Sequence, residues 1–282
     1  MSTSSNIAAP QAIKIISSRP YSLGEYYSKL CRYGFLTGVL ARRELKIKYT
    51  KTLLGIGWLF LQPLALVIIY SIFFKSFIKM DTGSIPYPSF VFSGLMLWYL
   101  FTGIISKNTF ALLESTELIN KVSFPRLIIL LAKTIPVLLE CAALLLILFA
   151  LLIFTHQPPG FNAITVLFYI LHAAVFSFAL GMLCSIIVVK HRDLAHFIPF
   201  ALNLGIWLTP VFYPVSIVPA AYRQYLLYLN PMAQAIDGLR GAIFLNTGIS
   251  HVSLISFLCS CIFLLLSFFY FIKSEKKLVE NL

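Results

Sequence analysis

The sequence predicts an all-α integral membrane fold with six spans, and three observations predict it. First, 59% of the 282 residues are hydrophobic and only 11% are charged, against about 25% charged in soluble domains. Second, six apolar stretches approach or exceed the roughly 20 residues that a helix needs to cross a hydrocarbon core of about 30 Å. Third, the basic residues are sorted between the two sides of those stretches. Seventeen lysines and arginines fall on one side, and four (Lys75, Lys79, Arg223 and Arg240) on the other. The richer side is expected to be cytoplasmic. It carries both termini, in keeping with an even number of spans.

The elements follow in order. Residues 1–55 read as a cytoplasmic N-terminal region without the sustained apolar core of a signal peptide. Within it, RRELKIKYTK (Arg42–Lys51) places five basic residues in ten positions. On a helix, Tyr33, Leu36, Leu40 and Ile47 fall within one arc of about 60°. Arg42 and Lys46 lie well away from that arc. Glu44 intrudes near it, and Lys48 is misplaced for a clean polar face. This is an imperfectly amphipathic helix lying in the membrane interface. Arg42, Arg43, Lys46 and Lys48 are placed there to meet lipid phosphates, each worth about 1 kcal/mol on an anionic leaflet. Nucleic-acid binding has little support, since nothing else forms a recognition module.

The transmembrane domain is expected over 56–272, with spans near 56–78, 89–106, 127–154, 163–189, 194–213 and 251–272. The second is short and holds Gly94 and Gly103, while the fifth carries His196, Pro199 and Pro210. Residues 107–126 form the longest inner connection. There Ser115-Thr116-Glu117 can begin a short helix that Pro125 ends. Residues 214–250 are too interrupted to span and too apolar for a free loop. Asn230-Pro231 divides them into two pieces, about 219–229 and 232–245. Each is long enough for a short helix that either dips into the membrane from outside or folds above it. Residues 273–282 are a cytoplasmic tail.

Two ionisable residues fall in the third span. Lys133 is expected to snorkel to the near headgroups. Glu140 lies about 10 Å farther along the helix, too far to pair with it. Either it has a functional role, in a substrate path or an interhelical bond, or the group is protonated and satisfied by a neighbour. His172 and His196 read as formers of interhelical hydrogen bonds.

Catalytic chemistry is not in evidence. The chain has no Gly-Lys dipeptide and hence no phosphate loop of the Gly-x-x-x-x-Gly-Lys type. Asp81, Asp193 and Asp237 form no metal pair, and the five cysteines show neither metal spacing nor a disulfide framework. The sequence therefore reads as no enzyme, with no metal site and no directly bound cofactor.

Three sets of residues carry a family resemblance. Thr52, Leu53, Gly55, Trp58 and Pro63 resemble the first-span entry of bacterial polysaccharide-export permeases, the membrane subunits of type-2 ATP-binding-cassette exporters. NKVSFPR (Asn120–Arg126) resembles the same family. So does the series from Arg192-Asp193 through TPVFYP (Thr209–Pro214) and LNP (Leu229–Pro231) to Arg240. Their order holds from about residue 35 to 272, and the O-antigen export group is the most similar.

The resemblance implies a homodimer in the bacterial inner membrane with two separate ATPase subunits, which bind ATP and Mg. The cargo would be an undecaprenyl-linked polysaccharide, with capsule, teichoic-acid, drug or lipid export as the alternatives. It implies that 107–126 holds the helix coupling the permease to the ATPase, with Glu114, Glu117, Asn120, Lys121, Phe124 and Arg126 as contact candidates. Aromatic residues make up 15% of the chain, and an interfacial belt accounts for most of them. Sugars, though, stack their C–H faces on aromatic rings. Trp58, Tyr70, Trp98 and Tyr99, with Glu140, are candidates for the substrate path. Phe212, Tyr213 and Tyr222 are candidates for an external gate.

Overall fold

A computed structural model describes residues 23–50, 52–77, 80–83, 85–156 and 161–278. Residues 1–22, Lys51, Lys79 and residues 279–282, which belong to the expected N-terminal region, basic count and tail, lie outside the described residues. The described chain is helical, and five of its helices are long and apolar enough to cross a membrane.

Two helices precede the membrane-length ones: α1 (Leu23–Arg32) and α2 (Gly34–Tyr49). The first span expectation corresponds to α3 (Gly57–Tyr70), which accommodates Pro63 and continues as a wide π-type turn through Ser71–Phe77. Next come α4 (Tyr87–Glu114), the short α5 (Thr116–Lys121), α6 (Leu127–Phe154) and α7 (Thr165–Lys190). The series closes with α8 (Leu194–Leu208), α9 (Ala220–Leu229), α10 (Pro231–Phe244) and α11 (His251–Leu278).

Helix α4 is the axis of the bundle and packs against α3, α6, α7, α8 and α10. The expected second span, 89–106, is too short by a third. Of the window that qualifies α4 as a span, 78% is buried, against 11% for α3. A helix surrounded by protein needs small and polar residues where neighbours touch it, so its apolar signal is diluted. Gly103 shows this contact: a Cβ there would lie 2.8 Å from Val137 Cγ1 on α6. Asn108 Nδ2 donates to Thr134 Oγ1 on α6 at 3.1 Å.

The fifth expected span also differs. Helix α8 has 15 residues, a rise of about 22 Å, which falls short of the hydrocarbon thickness. It stops at Leu208 because Pro210 bars the helical conformation at the residue before it, and Thr209 is extended (φ −109°, ψ 138°). The two pieces on either side of Asn230-Pro231 are both helical but unlike in packing. Helix α9 has no buried residue. Helix α10 is inserted against α4, α7 and α11, with Met232, Ala235, Ile236 and Leu239 in the larger core.

Buried polar side chains stitch α7, α10 and α11 together, as in membrane bundles generally. Tyr169 Oη and Ser253 Oγ are 3.2 Å apart, and Gln234 Nε2 donates to the same Ser253 Oγ at 2.7 Å. His172 Nε2 lies 3.2 Å from Ser260 Oγ, the interhelical contact expected of it. His196, by contrast, is exposed on α8.

A second core lies at the end of the bundle that carries α1, α2 and α5. Tyr26, Phe124, Leu127, Ile128 and Phe271 are buried there, with Tyr33, Leu36 and Leu40 packed on them. Ile47, expected on the same arc, is 63% exposed. Toward its C-terminal end α2 meets α6 through Glu44 and Lys48, which reach Lys133 and Glu140. Arg126 closes this end. Its backbone N–H and its Nη1 both donate to Glu275 Oε1 on α11, at 2.8 and 3.1 Å.

Removing one partner of such a largely buried pair costs about 3 kcal/mol. Glu275→Ala is therefore expected to lower the thermal midpoint of the detergent-purified protein by several degrees. An unchanged midpoint would show that this contact does not hold α11.

Candidate functional site

Sequence spacing creates the lining of two cavities that share a wall on α4. Tyr99, Thr102 and Ser106 recur at three and four residues and so form one stripe of that helix. The same spacing joins Trp58 to Gln62 on α3. The first cavity, about 290 Å³, lies between these two stripes, the end of α2 and the face of α6 that bears Val137, Glu140 and Leu144. The second, about 350 Å³, is lined by Leu66 and Tyr70 of α3, by Trp98, Tyr99, Thr102 and Ser106 of α4, and by Pro199, Leu202 and Asn203 of α8.

The five expected path residues meet in this pair of cavities. Trp58, Tyr99 and Glu140 line the first, and Tyr70, Trp98 and Tyr99 line the second. Gln62, Thr102 and Ser106 are lining residues that were not singled out from sequence, although their spacing relative to Trp58 and Tyr99 was there to be read. Glu140 does not stand alone: Lys48 Nζ donates to its Oε1 at 2.6 Å and the Tyr49 hydroxyl donates to the same oxygen at 2.7 Å. Glu140 thus ties α6 to the end of α2. Burial first, then the bond to Glu140, pushes the Tyr49 phenol well above its ordinary range, so it remains a donor.

Beyond the second cavity the chain closes over itself with aromatic rings. Phe212 is fully buried, with its ring centroid 4.1 Å from that of Tyr70, 5.9 Å from Phe74 and 5.5 Å from Trp207. Tyr213 is half-buried and donates its hydroxyl to Trp207 O at 3.2 Å. Tyr222 is exposed on α9 and joins neither cavity.

The backbone that carries Phe212 is held by a buried guanidinium. Arg240 Nη1 donates to Pro210 O at 2.6 Å, and its Nη2 donates to Val211 O at 2.6 Å and Phe90 O at 3.0 Å. The Phe90 ring lies 3.5 Å from the guanidinium carbon. Three carbonyls and a ring face replace the water a cation loses on burial. Tyr87 adds a bond from its hydroxyl to Phe212 O at 2.9 Å. Asn230 caps α10 through Met232 N and Ala233 N, and its Nδ2 donates to Thr209 Oγ1 at 3.1 Å. The separated motifs TPVFYP, LNP and Arg240 are thus parts of one contact.

The expected coupling residues divide. Glu117, Asn120 and Lys121 are exposed on or beside α5, and Lys121 lies 3.9 Å from Glu117 one turn away. Phe124 is buried against Tyr33, and Arg126 is turned inward to Glu275. Glu114 is bonded to Lys133, which does not snorkel but is 5% exposed and also lies 3.4 Å from Glu44. Arg42, Arg43, Lys46 and Lys48 are all exposed along α2, Lys48 while reaching Glu140. Among the described residues no group of His, Cys, Asp and Glu is placed to hold a metal.

Residues 36–244 match the ABC-2 type transporter family, a stretch that takes in the cavities, the Phe212 loop and α10. The chain belongs to the ABC-2 type transporter family. It is 29% identical to the O-antigen export system permease protein RfbA of Myxococcus xanthus over 217 residues, which cover 77% of this chain and 82% of that one. It is 25% identical to the RfbA protein of Klebsiella pneumoniae over 239 residues, 84% of this chain and 88% of that one. It is also 25% identical to the capsule polysaccharide export inner-membrane protein CtrC of Neisseria meningitidis, over 73% of this chain and 78% of that one. As an ABC-2 family member with five membrane-length helices, it is a multi-pass membrane protein.

The close approach of Arg240 depends on Gly94: a Cβ there would lie 2.6 Å from Arg240 Nη2 and 2.8 Å from Val211 O. Gly94→Ala is expected to displace the Phe212 loop and reduce the yield of folded protein several-fold. Gly38→Ala, which meets nothing within 4 Å, serves as the unaffected control in the same membrane-expression measurement.

Proposed function

We propose that this chain is the membrane subunit of an ATP-driven exporter that moves undecaprenyl-linked O-antigen polysaccharide across the bacterial inner membrane. The observation that carries the reading is the pair of cavities walled by Trp58, Tyr70, Trp98 and Tyr99 and dotted with Gln62, Thr102, Ser106 and Glu140. Aromatic faces offer weak, repeatable stacking to pyranose C–H surfaces, while scattered polar groups exchange hydrogen bonds with hydroxyls. Such a lining suits a cargo that must slide without being held. Membership of the ABC-2 family and the names of its relatives supply the class of cargo.

The energy source in this reading is a separate ATP-binding-cassette subunit, which binds ATP and Mg and docks on α5. The end that carries α2 and α5 faces the cytoplasm, with both termini, and Arg42, Arg43 and Lys46 rest on lipid phosphates. The α8 helix and the loop after it complete a sixth crossing, and α9 and α10 enter from the periplasmic side, with Phe212 as the closed gate. A second copy completes the pathway in this reading: α8 has no buried residue, so among the described residues the wall it gives to the second cavity is left uncovered on its outer side.

Deletion of the gene is expected to abolish the long-chain lipopolysaccharide ladder on the cell surface while lipid-linked chains accumulate inside. Complementation with Trp98→Ala/Tyr99→Ala is expected to restore expression but at least a several-fold smaller ladder. A normal ladder in the deletion strain would overturn the proposal. Loss of a capsule instead would favour the second reading, supported by the similarity to CtrC.

A further inference from the structure

Three separate elements converge on one buried ammonium. Lys133 lies on α6 and is 5% exposed; its Nζ is 3.4 Å from Glu44 Oε1 on α2 and is bonded to Glu114 Oε2 on α4. Glu114 is the last residue of α4, and Ser115 after it is the N-cap of α5. The Lys48–Glu140 bond repeats the tie farther along the same two helices, α2 and α6. Glu44 and Lys48 both lie on the face that α2 turns toward α6, where a surface helix has no need of charge. An ionised lysine inside a membrane protein, however, calls for carboxylates around it.

We infer that Lys133 is a coupling residue that makes the end of α4, with the α5 helix attached to it, move together with α2. The inference rests on the ATP-driven reading above. A displacement of α5 by a partner ATPase pulls first on Glu114, which only Ser115 separates from that helix. Glu114 is held to Lys133, and Lys133 to Glu44, so α2 is carried along rather than left behind. Because α2 supplies Lys48 and Tyr49 to the first cavity, the same displacement reshapes that cavity's mouth. Lys133 touches no cargo in this scheme; it acts by position.

The test compares export with ATP hydrolysis in the reconstituted complex of permease and ATPase. Glu44→Gln and Glu114→Gln each remove one side of the tie yet leave Lys133 an ionised partner, so both are expected to assemble. Both are expected to export several-fold less polysaccharide per ATP, and Glu44→Gln, which lies outside the expected ATPase contacts, to hydrolyse ATP at the wild-type rate. Lys133→Arg, which keeps the charge, is expected to retain at least half of the wild-type ratio, and Lys133→Met to lose it. Wild-type ratios in both glutamine variants would overturn the inference. So would a proportional fall of assembly, hydrolysis and export together, since that marks a purely structural contact. Absence of ATP-dependent export from the wild-type complex would instead count against the transport reading itself.

Discussion

An ionised side chain in an apolar interior must be met by opposite charge or by a shell of dipoles, and that requirement fixes where the peripheral parts of this chain sit. Lys133 takes Glu44 and Glu114 as partners, and so holds α2 and the end of α4 against α6. Glu140 takes Lys48 and Tyr49, which closes one side of the first cavity. Arg126 takes Glu275 and secures α11. Arg240 is bonded to no carboxylate among the described residues and is surrounded by carbonyls instead, which fastens the Phe212 loop. Dispersion and shape fill the bundle, but these four contacts decide how its edges are attached.

The second determinant is the closeness with which α4 is approached. Gly94 admits the Arg240 guanidinium, and Gly103 admits Val137. Gly181 of α7 reaches Asn108 and Ile105 with similar intimacy, a Cβ there lying 3.0 Å from Asn108 Cβ. With its neighbours that near, α4 has one stripe left unfilled, the Tyr99–Thr102–Ser106 face, and both cavities open onto it. The site is thus a consequence of packing: small residues draw helices in on three sides, and the polar stripe remains where no helix is drawn in.

Much of this was legible in the sequence, and what was not has a physical cause. Apolar runs that face lipid are long and pure, so the 127–154 expectation coincides with α6. Helix α4 faces protein, and its glycines, serines and Asn108 shortened the expected span to 89–106. Pro210 is visible, but that it ends α8 at Leu208 is not, because membrane helices also tolerate proline within a span. The two oddities of the N-terminal helix, Glu44 near the apolar arc and Lys48 off the polar face, were visible as misfits. Their explanation was not, because it lies about 90 residues away at Lys133 and Glu140. Aromatic candidates for the path came together in the cavities, whereas Tyr222 did not, since a helix with no buried face gave no way to place its ring. Long-range polar contacts such as Asn230 to Thr209 leave no periodic trace in a sequence.

These contacts describe a membrane protein whose interior has two polar-aromatic cavities, a clamped aromatic closure at one end and a charged, ion-paired collar at the other. In the proposed reading the collar receives work and the closure yields to cargo. The most direct measurement is translocation in proteoliposomes that contain the permease, its ATPase and lipid-linked polysaccharide. The proposal requires that the glycan reach the far leaflet only when both subunits, ATP and Mg are present, and that removing any one of them stops it. Glycan transfer that proceeds at the same rate without ATP, or with the ATPase alone, would contradict it.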